Sequence, residues 1–142
     1  SIDGKPMNTS QHMLYQGMMV SDVPNMAMII GYLNASWTLK VDIAADYICR
    51  LINHMDKNGF DEVIAHADPL QRENDTIMGK MSSGYIARAA DVMPKQGKQA
   101  PWKITNNYLV DRKELKDAKF DDGVLEFHKR GEHADRKPKL VS

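Results

Sequence analysis

The distribution of apolar residues changes character on either side of Gly31. Residues 26–30 form a short apolar run bounded by Pro24 and Gly31, and a run of this length is typical of a buried strand. From Leu39 onward the spacing becomes helical, with apolar side chains at Leu39, Ile43, Tyr47, Ile48, Leu51, Ile52 and Met55. Gly59 follows where a C-terminal cap is expected. The pattern predicts a buried strand, a tight polar turn and a long helix.

A buried strand that leads into a helix through a tight turn is the unit that places ligands at the carboxyl end of an α/β sheet. Such a turn presents backbone N–H groups and the positive end of the helix dipole. We therefore expect an α/β fold in which this turn faces the electron-rich edge of a ligand.

Several shorter elements are predicted along the rest of the chain. They are a strand pair over His12–Val20 with a bulge or turn at Gly17, a short helix or strand over Phe60–Ala67, a helix over about 84–93 ended by Pro94, a loop over Pro94–Pro101, a helix capped by Asn106 or Asn107, and a strand over Val124–Phe127. From Lys129 onward the sequence is nearly devoid of apolar residues, and we expect a disordered tail.

Composition narrows the function classes without choosing one. The chain has 142 residues, which is long enough for one domain with a core, and 42% of them are hydrophobic. Their formal net charge of zero gives no indication of nucleic-acid or membrane binding. The single cysteine, Cys49, excludes an internal disulfide and is compatible with a reducing cytoplasm, which is the localisation we expect. The chain begins Ser1-Ile2-Asp3-Gly4 without an initiator methionine, as expected of a piece of a longer protein or of a processed or tagged chain.

The patterns that accompany catalysis are missing from this sequence. Its five histidines show no metal-ligand spacing, Cys49 beside the apolar stripe is expected to be a packed thiol, and no serine occupies a GxSxG elbow. The basic loop Lys95–Lys98 is expected to be a solvated loop, and Asp121 and Asp122 to form a turn before Gly123. No GxGxxG turn is present. We therefore predict no catalytic residue, no metal site and no complete active site in this chain.

One set of motifs is more specific. Tyr15-Gln16-Gly17-Met18-Met19, Val23-Pro24-Asn25 and, above all, the run from Gly31 to Lys40 (GYLNASWTLK) closely resemble the C-terminal region of class B flavoprotein monooxygenases. These are the flavin-containing and Baeyer–Villiger-type enzymes. The resemblance continues at Met93–Gly97, Pro101-Trp102-Lys103, Asn107-Tyr108 and Asp121–Leu125, and it covers most of residues 12–127.

The resemblance implies that Met26–Tyr32 is the last strand of an FAD-binding sheet and that the following turn faces the flavin. The cofactor-binding residues would be Asn34, Ala35, Ser36, Trp37 and Thr38, with backbone N–H groups near the pyrimidine edge of the isoalloxazine. Trp37 would either line the substrate or nicotinamide side or pack against the following helix. The dinucleotide-binding glycines of the family are absent from this chain, so the resemblance implies that it does not bind FAD alone.

The resemblance also implies an organisation and an activity. The fold class would be α/β, the C-terminal part of a Rossmann-like FAD-binding domain followed by a mainly helical C-terminal extension. Residues 1–60 would complete the FAD-binding domain, 61–128 would form the extension, and 129–142 would be a polar tail. The parent enzyme would use FAD and NADPH to transfer one oxygen atom from O2 to a ketone or a soft heteroatom substrate. Its N-terminal FAD and NADPH domains would be the partner of this chain.

Two alternatives remain open from the sequence. In the first, the chain is a non-catalytic module or truncated chain that acts only by packing on a partner, and it then presents an exposed apolar face. In the second, the parent is a related flavin oxidoreductase that does not transfer oxygen.

Overall fold

One long helix, a shorter helix and three two-stranded antiparallel sheets make up the described structure. The computed structural model describes residues 2, 4–77, 88, 91–129 and 132. The helices are α1, Trp37–Asn58, and α2, Tyr108–Asp117. The strands are β1 Leu14–Tyr15, β2 Met19–Val20, β3 Glu62–Ala65, β4 Arg72–Thr76, β5 Lys95–Gly97 and β6 Leu125–His128.

Helix α1 confirms the predicted long helix and its C-terminal cap. Gly59 adopts the left-handed conformation with φ +68°, and its N–H bonds to the carbonyls of Asp56 and Met55. The buried face differs from the predicted stripe, because it consists of Lys40, Ala44, Tyr47 and Leu51. The prediction was wrong for Ile52, which is half exposed, and for Cys49, which is an exposed thiol rather than a packed one.

The strands pair β1 with β2, β3 with β6, and β4 with β5. The first pair confirms the predicted hairpin, with Leu14 opposite Val20 and both Gln16 and Gly17 at positive φ. The second pair resolves the ambiguity over Phe60–Ala67 in favour of a strand and confirms the strand after the Asp121-Asp122-Gly123 turn. There the Asp122 carboxylate accepts hydrogen bonds from the N–H groups of Val124 and Leu125.

The principal core lies between α1 and two of these sheets. It combines side chains from distant parts of the chain, namely Met13, Tyr15, Met18, Met19, Ala44, Tyr47, Leu51, Val63, Ala65, Trp102, Leu115 and Leu125. Residues on both sides of position 60 contribute to it, while the predicted domain boundary at that position stays a prediction.

Helix α2 is short and strongly polar, and other parts of the chain stabilise both of its ends. Asn107 caps its start, as predicted, by accepting hydrogen bonds from the N–H groups of Leu109 and Val110. At the other end the guanidinium of Arg50 donates to the carbonyl oxygens of Leu115 and Ala118. Arg50 also forms the predicted i,i+4 ion pair with Asp46, at 3.3 Å.

The structure corrects two predictions that depended on local composition. Met26–Tyr32 forms no strand, because its pairing partners among the described residues are limited to the edge of the 18–20 segment, through an isolated bridge from Ala27 to Met19. The predicted loop over Pro94–Pro101 contains strand β5, because β4 supplies a pairing partner that the composition does not reveal.

Two other predictions fall largely or wholly outside the described residues: the helix over about 84–93 and the polar tail that begins near position 129. No described helix combines the length and apolar character that crossing a bilayer requires.

Three buried phenols predict how stability responds to alkali. Burial raises the pKa of Tyr15, Tyr32 and Tyr47 above the ordinary tyrosine value. Both folded and unfolded chains keep these phenols protonated below pH ~10, so the full stability is present there. Above that pH the unfolded chain ionises first, and the free energy of unfolding should fall.

Urea unfolding at a series of pH values measures this effect. The Tyr15→Phe variant should show a shallower alkaline loss, and at neutral pH it should lose about 1 kcal/mol with the hydrogen bond from Tyr15 Oη to Asp122 Oδ2. An alkaline slope in the variant equal to that of the unaltered chain would contradict the assignment.

Candidate functional site

All five predicted cofactor-binding residues, Asn34, Ala35, Ser36, Trp37 and Thr38, lie in the turn before α1 and in the first two residues of that helix, which together are called the exposed turn. Every residue from Leu33 to Thr38 is exposed, and the segment that precedes it ends in the buried Tyr32. The structure therefore brings the predicted residues together on one outward-facing turn.

The beginning of α1 is suited to an electron-rich partner. The first N–H groups of an α-helix have no acceptor within the helix. Ser36 occupies the cap position, but its side chain makes no capping hydrogen bond and instead lies 2.7 Å from Thr38 Oγ1. The first turn also contains no acidic residue. Leu39 N–H bonds to the carbonyl oxygen of Ser36, so the N–H groups of Trp37 and Thr38 and the positive end of the helix dipole are what the turn offers to an acceptor outside it.

Trp37 is the aromatic residue of this turn, and 58% of its surface is accessible. The ring is therefore not buried against the following helix, which was one of the two positions expected for it. Its ring lies against Gly31, where a Cβ atom would overlap Cγ and Cδ2 of the indole. Gly31 is thus required for close approach of the indole.

Beneath the exposed turn lies a buried polar network centred on Asp111. Its Oδ2 accepts hydrogen bonds from Lys40 Nζ at 2.7 Å and from Tyr32 Oη at 2.8 Å, and its Oδ1 accepts one from Thr105 Oγ1 at 2.9 Å. Lys40 and Asp111 are 4% and 8% exposed. Removing one partner of such a buried ion pair costs about 3–5 kcal/mol, because the other charge is left without compensation.

Sequence reasoning missed this network. In the sequence Lys40 is the last residue of the GYLNASWTLK run, and no local pattern singles out Asp111. Lys40 does fall at the helical spacing of Ala44, Tyr47 and Leu51, which is the buried face of α1. A lysine at a buried position of an amphipathic pattern indicates a buried acceptor. The identity of that acceptor, 71 residues further along the chain, is not encoded locally.

The space under the turn is too small for a cofactor. A cavity of about 10 Å³ lies among Gly17, Gly31, Lys40 and Ile104, which is room for about one water molecule. A flavin ring in contact with this turn would therefore lie on its outer, exposed side.

The other candidate residues have structural roles where the structure describes them. His12 Nδ1 lies 2.7 Å from the carbonyl oxygen of Ser21, and His54 packs among phenylalanine rings. His66 and His128 both lie close to the carboxylate of Glu126, on the β3–β6 ladder and its extension. Among the described residues no group of three or more histidine, cysteine or acidic side chains is arranged to hold a metal ion. His133 lies outside the described residues.

The basic loop and the acidic turn likewise have structural roles. Lys95 belongs to β5 and donates to the carbonyl oxygen of Asn74 at 3.0 Å. Asp122 accepts from Tyr15 and from two backbone N–H groups of the turn that it begins. Both residues therefore stabilise the fold locally.

Comparison with known proteins identifies relatives of this chain. The chain is 94% identical over 143 aligned residues to a protein named probable FAD-binding monooxygenase AlmA from Acinetobacter sp., and the alignment covers 100% of the chain. This chain is similar over its whole length to FAD-binding monooxygenases. A protein of the same name from Acinetobacter baylyi is 70% identical over 144 residues. The FAD-containing monooxygenase EthA from Mycobacterium tuberculosis is 44% identical over 130 residues, which are 92% of the chain.

These matches involve only a part of each relative. The chain spans 29% of the length of both Acinetobacter proteins and 26% of the length of EthA. No family model matches the chain. No solved structure matches it either.

Two glycines predict different responses to the same substitution. The atoms nearest to a Cβ at Gly31 belong to the exposed ring of Trp37, which is able to swing away. A Cβ at Gly97 would meet the backbone of Trp102. We expect Gly31→Ala to change the free energy of unfolding by less than about 1 kcal/mol. Gly97→Ala should cost about 1–3 kcal/mol through overpacking.

Urea unfolding followed by circular dichroism measures both losses. The Gly31→Ala chain should in addition show altered emission from Trp37, identified by comparison with Trp37→Phe. Unchanged Trp37 emission in Gly31→Ala, or equal stability of the two alanine variants, would contradict the described packing.

Proposed function

We propose that this chain is the C-terminal segment of an FAD- and NADPH-dependent monooxygenase. The parent enzyme would insert one oxygen atom from O2 into a ketone or into a soft heteroatom substrate such as an amine or a sulfide. The observation that carries this proposal is similarity over the full chain, at 94% and 70% identity, to proteins named FAD-binding monooxygenases, of which the chain spans 29%.

The residues of the exposed turn would suit the isoalloxazine ring of FAD. The start of α1 offers the N–H groups of Trp37 and Thr38, which the Ser36 side chain does not cap, and no acidic side chain in the first turn opposes an electron-rich ligand. Asn34, Ala35, Ser36, Trp37 and Thr38 would hold the pyrimidine edge of the isoalloxazine through these donors. They would stabilise negative charge on the reduced ring. FAD itself supplies the redox and oxygen chemistry when bound.

Trp37 would line the substrate or nicotinamide side of the flavin. Its ring is exposed and rests on Gly31, so it is available to a neighbouring group. A large aromatic side chain at this position would exclude water from the reacting face and help to orient a planar ring.

An apolar face next to the turn supports the proposal that a larger part of the protein covers this region. Ile29 and Leu33 flank Gly31 in the chain, and both are exposed. The ring of Trp37 rests on Gly31, and Val41 lies one helical turn further along α1. Ile29, Leu33, Trp37 and Val41 are 38%, 38%, 58% and 42% exposed. Such grouping of large exposed apolar residues marks an interaction surface.

The fold expected from the family resemblance is part of the same proposal. The Met26–Tyr32 segment, which forms no strand among the described residues, is hydrogen-bonded to residues 18–20 through Met26 and Met28. In the parent enzyme its other edge would join the FAD-binding sheet as the last strand, with α1 as the helix that follows it. The turn between them would then lie at the carboxyl end of that sheet, where such folds bind nucleotides.

A chimera tests this proposal directly. The segment of the full-length Acinetobacter relative that matches this chain is replaced by residues 1–142. We expect the purified chimera to contain bound FAD, to be reduced by NADPH, and to oxygenate ketone or sulfide probes at rates within about tenfold of the parent relative, because the two segments are 94% identical. The matching segment of EthA serves as a more distant control.

Titration of the 142-residue chain alone with FAD completes the test. We expect no saturable binding, because the GxGxxG turns are absent from this sequence. A chimera that folds but lacks FAD would overturn the flavin role and favour the alternative of a non-catalytic module. A chimera that binds FAD and consumes NADPH without oxygenating any probe would favour the related flavin oxidoreductase.

A further inference from the structure

The position of the proposed flavin-binding turn depends on a residue outside it. Tyr32 lies immediately before the exposed turn and Lys40 lies in the first helical turn after it. Both side chains donate to the same oxygen, Oδ2 of Asp111, at 2.8 Å and 2.7 Å. The two ends of the exposed segment are thus joined through one atom that belongs to α2.

We propose that Asp111 is a positioning residue, which fixes the turn from Leu33 to Leu39 by holding Tyr32 and Lys40 on one carboxylate oxygen. This inference rests on the proposed function for its connection to FAD. Asp111 itself would not touch the cofactor, because it is buried under the turn. It would act by setting the direction of the N–H groups at the start of α1.

The geometry leaves the carboxylate little freedom. Oδ1 is held by Thr105 Oγ1 at 2.9 Å, so both oxygens of Asp111 have defined partners. Lys40 Nζ also lies 5.4 Å from the centre of the Tyr32 ring. The cation is therefore close to the phenol that donates to the same oxygen of Asp111. Charge-assisted hydrogen bonds of this kind are short and directional, and burial protects them from screening by salt.

The surroundings of the network are also filled. The hairpin turn lies next to the network, because a Cβ atom on Gly17 would lie 3.3 Å from Lys40 Nζ. From the side, Leu33 N–H contacts Asn106 Oδ1 at 3.4 Å, next to Thr105 in the chain. These contacts place the network between the exposed turn and the packed core.

The first measurement uses the 142-residue chain without flavin. Incorporation of 5-fluorotryptophan gives one ¹⁹F resonance for Trp37, on the turn, and one for the buried Trp102, which serves as an internal reference. We expect Asp111→Ala to shift or broaden the Trp37 resonance while that of Trp102 stays in place. Tyr32→Phe should give a smaller change in the same direction. Because this variant retains the ion pair between Lys40 and Asp111, it still tests the inference if the alanine variant fails to fold.

Two control variants separate positioning from stability. Leu115→Ala removes a core side chain from the same helix and should destabilise the chain without moving the Trp37 resonance. Asp117→Asn removes an exposed carboxylate of α2 and should change neither resonance. If Trp37 is unaffected in both Asp111→Ala and Tyr32→Phe, or moves equally in Leu115→Ala, the inference is overturned.

The second measurement uses the FAD-loaded chimera. Asp111→Ala should weaken FAD binding by about tenfold, because donors that no longer point at the ring lose their hydrogen bonds. It should also lower the flavin midpoint potential, since the reduced ring loses stabilisation. If the Trp37 resonance moves in the variant but its FAD affinity and flavin midpoint potential are unaltered, the link from the turn to the flavin is overturned.

The two proposals fail in different ways. A chimera without FAD in its unaltered form contradicts the proposed function, while the fluorine spectra of the chain still decide whether Asp111 positions the turn. A chimera that holds FAD normally in the Asp111→Ala and Tyr32→Phe variants contradicts the inference alone.

Discussion

The ion pair between Lys40 and Asp111 imposes the strictest requirement on this structure. Taking two charges out of water carries a large desolvation cost, which is offset only when the remaining hydrogen-bonding capacity is also satisfied. Here Tyr32 and Thr105 supply the additional donors to the Asp111 carboxylate. A pair of apolar side chains would fill the same space without directional preference. The ionic network therefore specifies one arrangement of Tyr32, α1 and α2.

That arrangement produces a contrast between the two sides of the turn. Its lower side rests on the buried side chains of Lys40 and Asp111, whereas its upper side presents helix N–H groups and Trp37 to the outside. Preorganised donors stabilise charge at little cost, because they do not have to reorient when the ligand arrives. Under the proposed function, these donors would serve one edge of the flavin ring.

The elements that were predictable from sequence are those determined by near neighbours. The caps at Gly59 and Asn107, the turn at Asp122 and the hairpin at Gly17 all depend on contacts within a few residues. The composition around Lys95 indicated a loop, yet the segment pairs with a strand some twenty residues away.

The exposed turn was predicted as a site from its motif, whereas the network beneath it was not. The carboxylate of Asp111 meets Lys40 only after the chain has folded back on itself. The same reason accounts for Cys49 and Ile52, because the face that α1 buries is chosen by the sheets that pack on it and not by its own stripe.

The way in which α2 is held has a consequence for the order of folding. A polar helix of 10 residues is not stable in isolation, because nucleation is costly and few hydrogen bonds are gained. Here its last carbonyls are capped by Arg50 and its first turn is fixed by Lys40, and both of these residues belong to α1. The long helix is thus a template on which the short one assembles. We expect α2 to become ordered only after α1 has formed, late in folding.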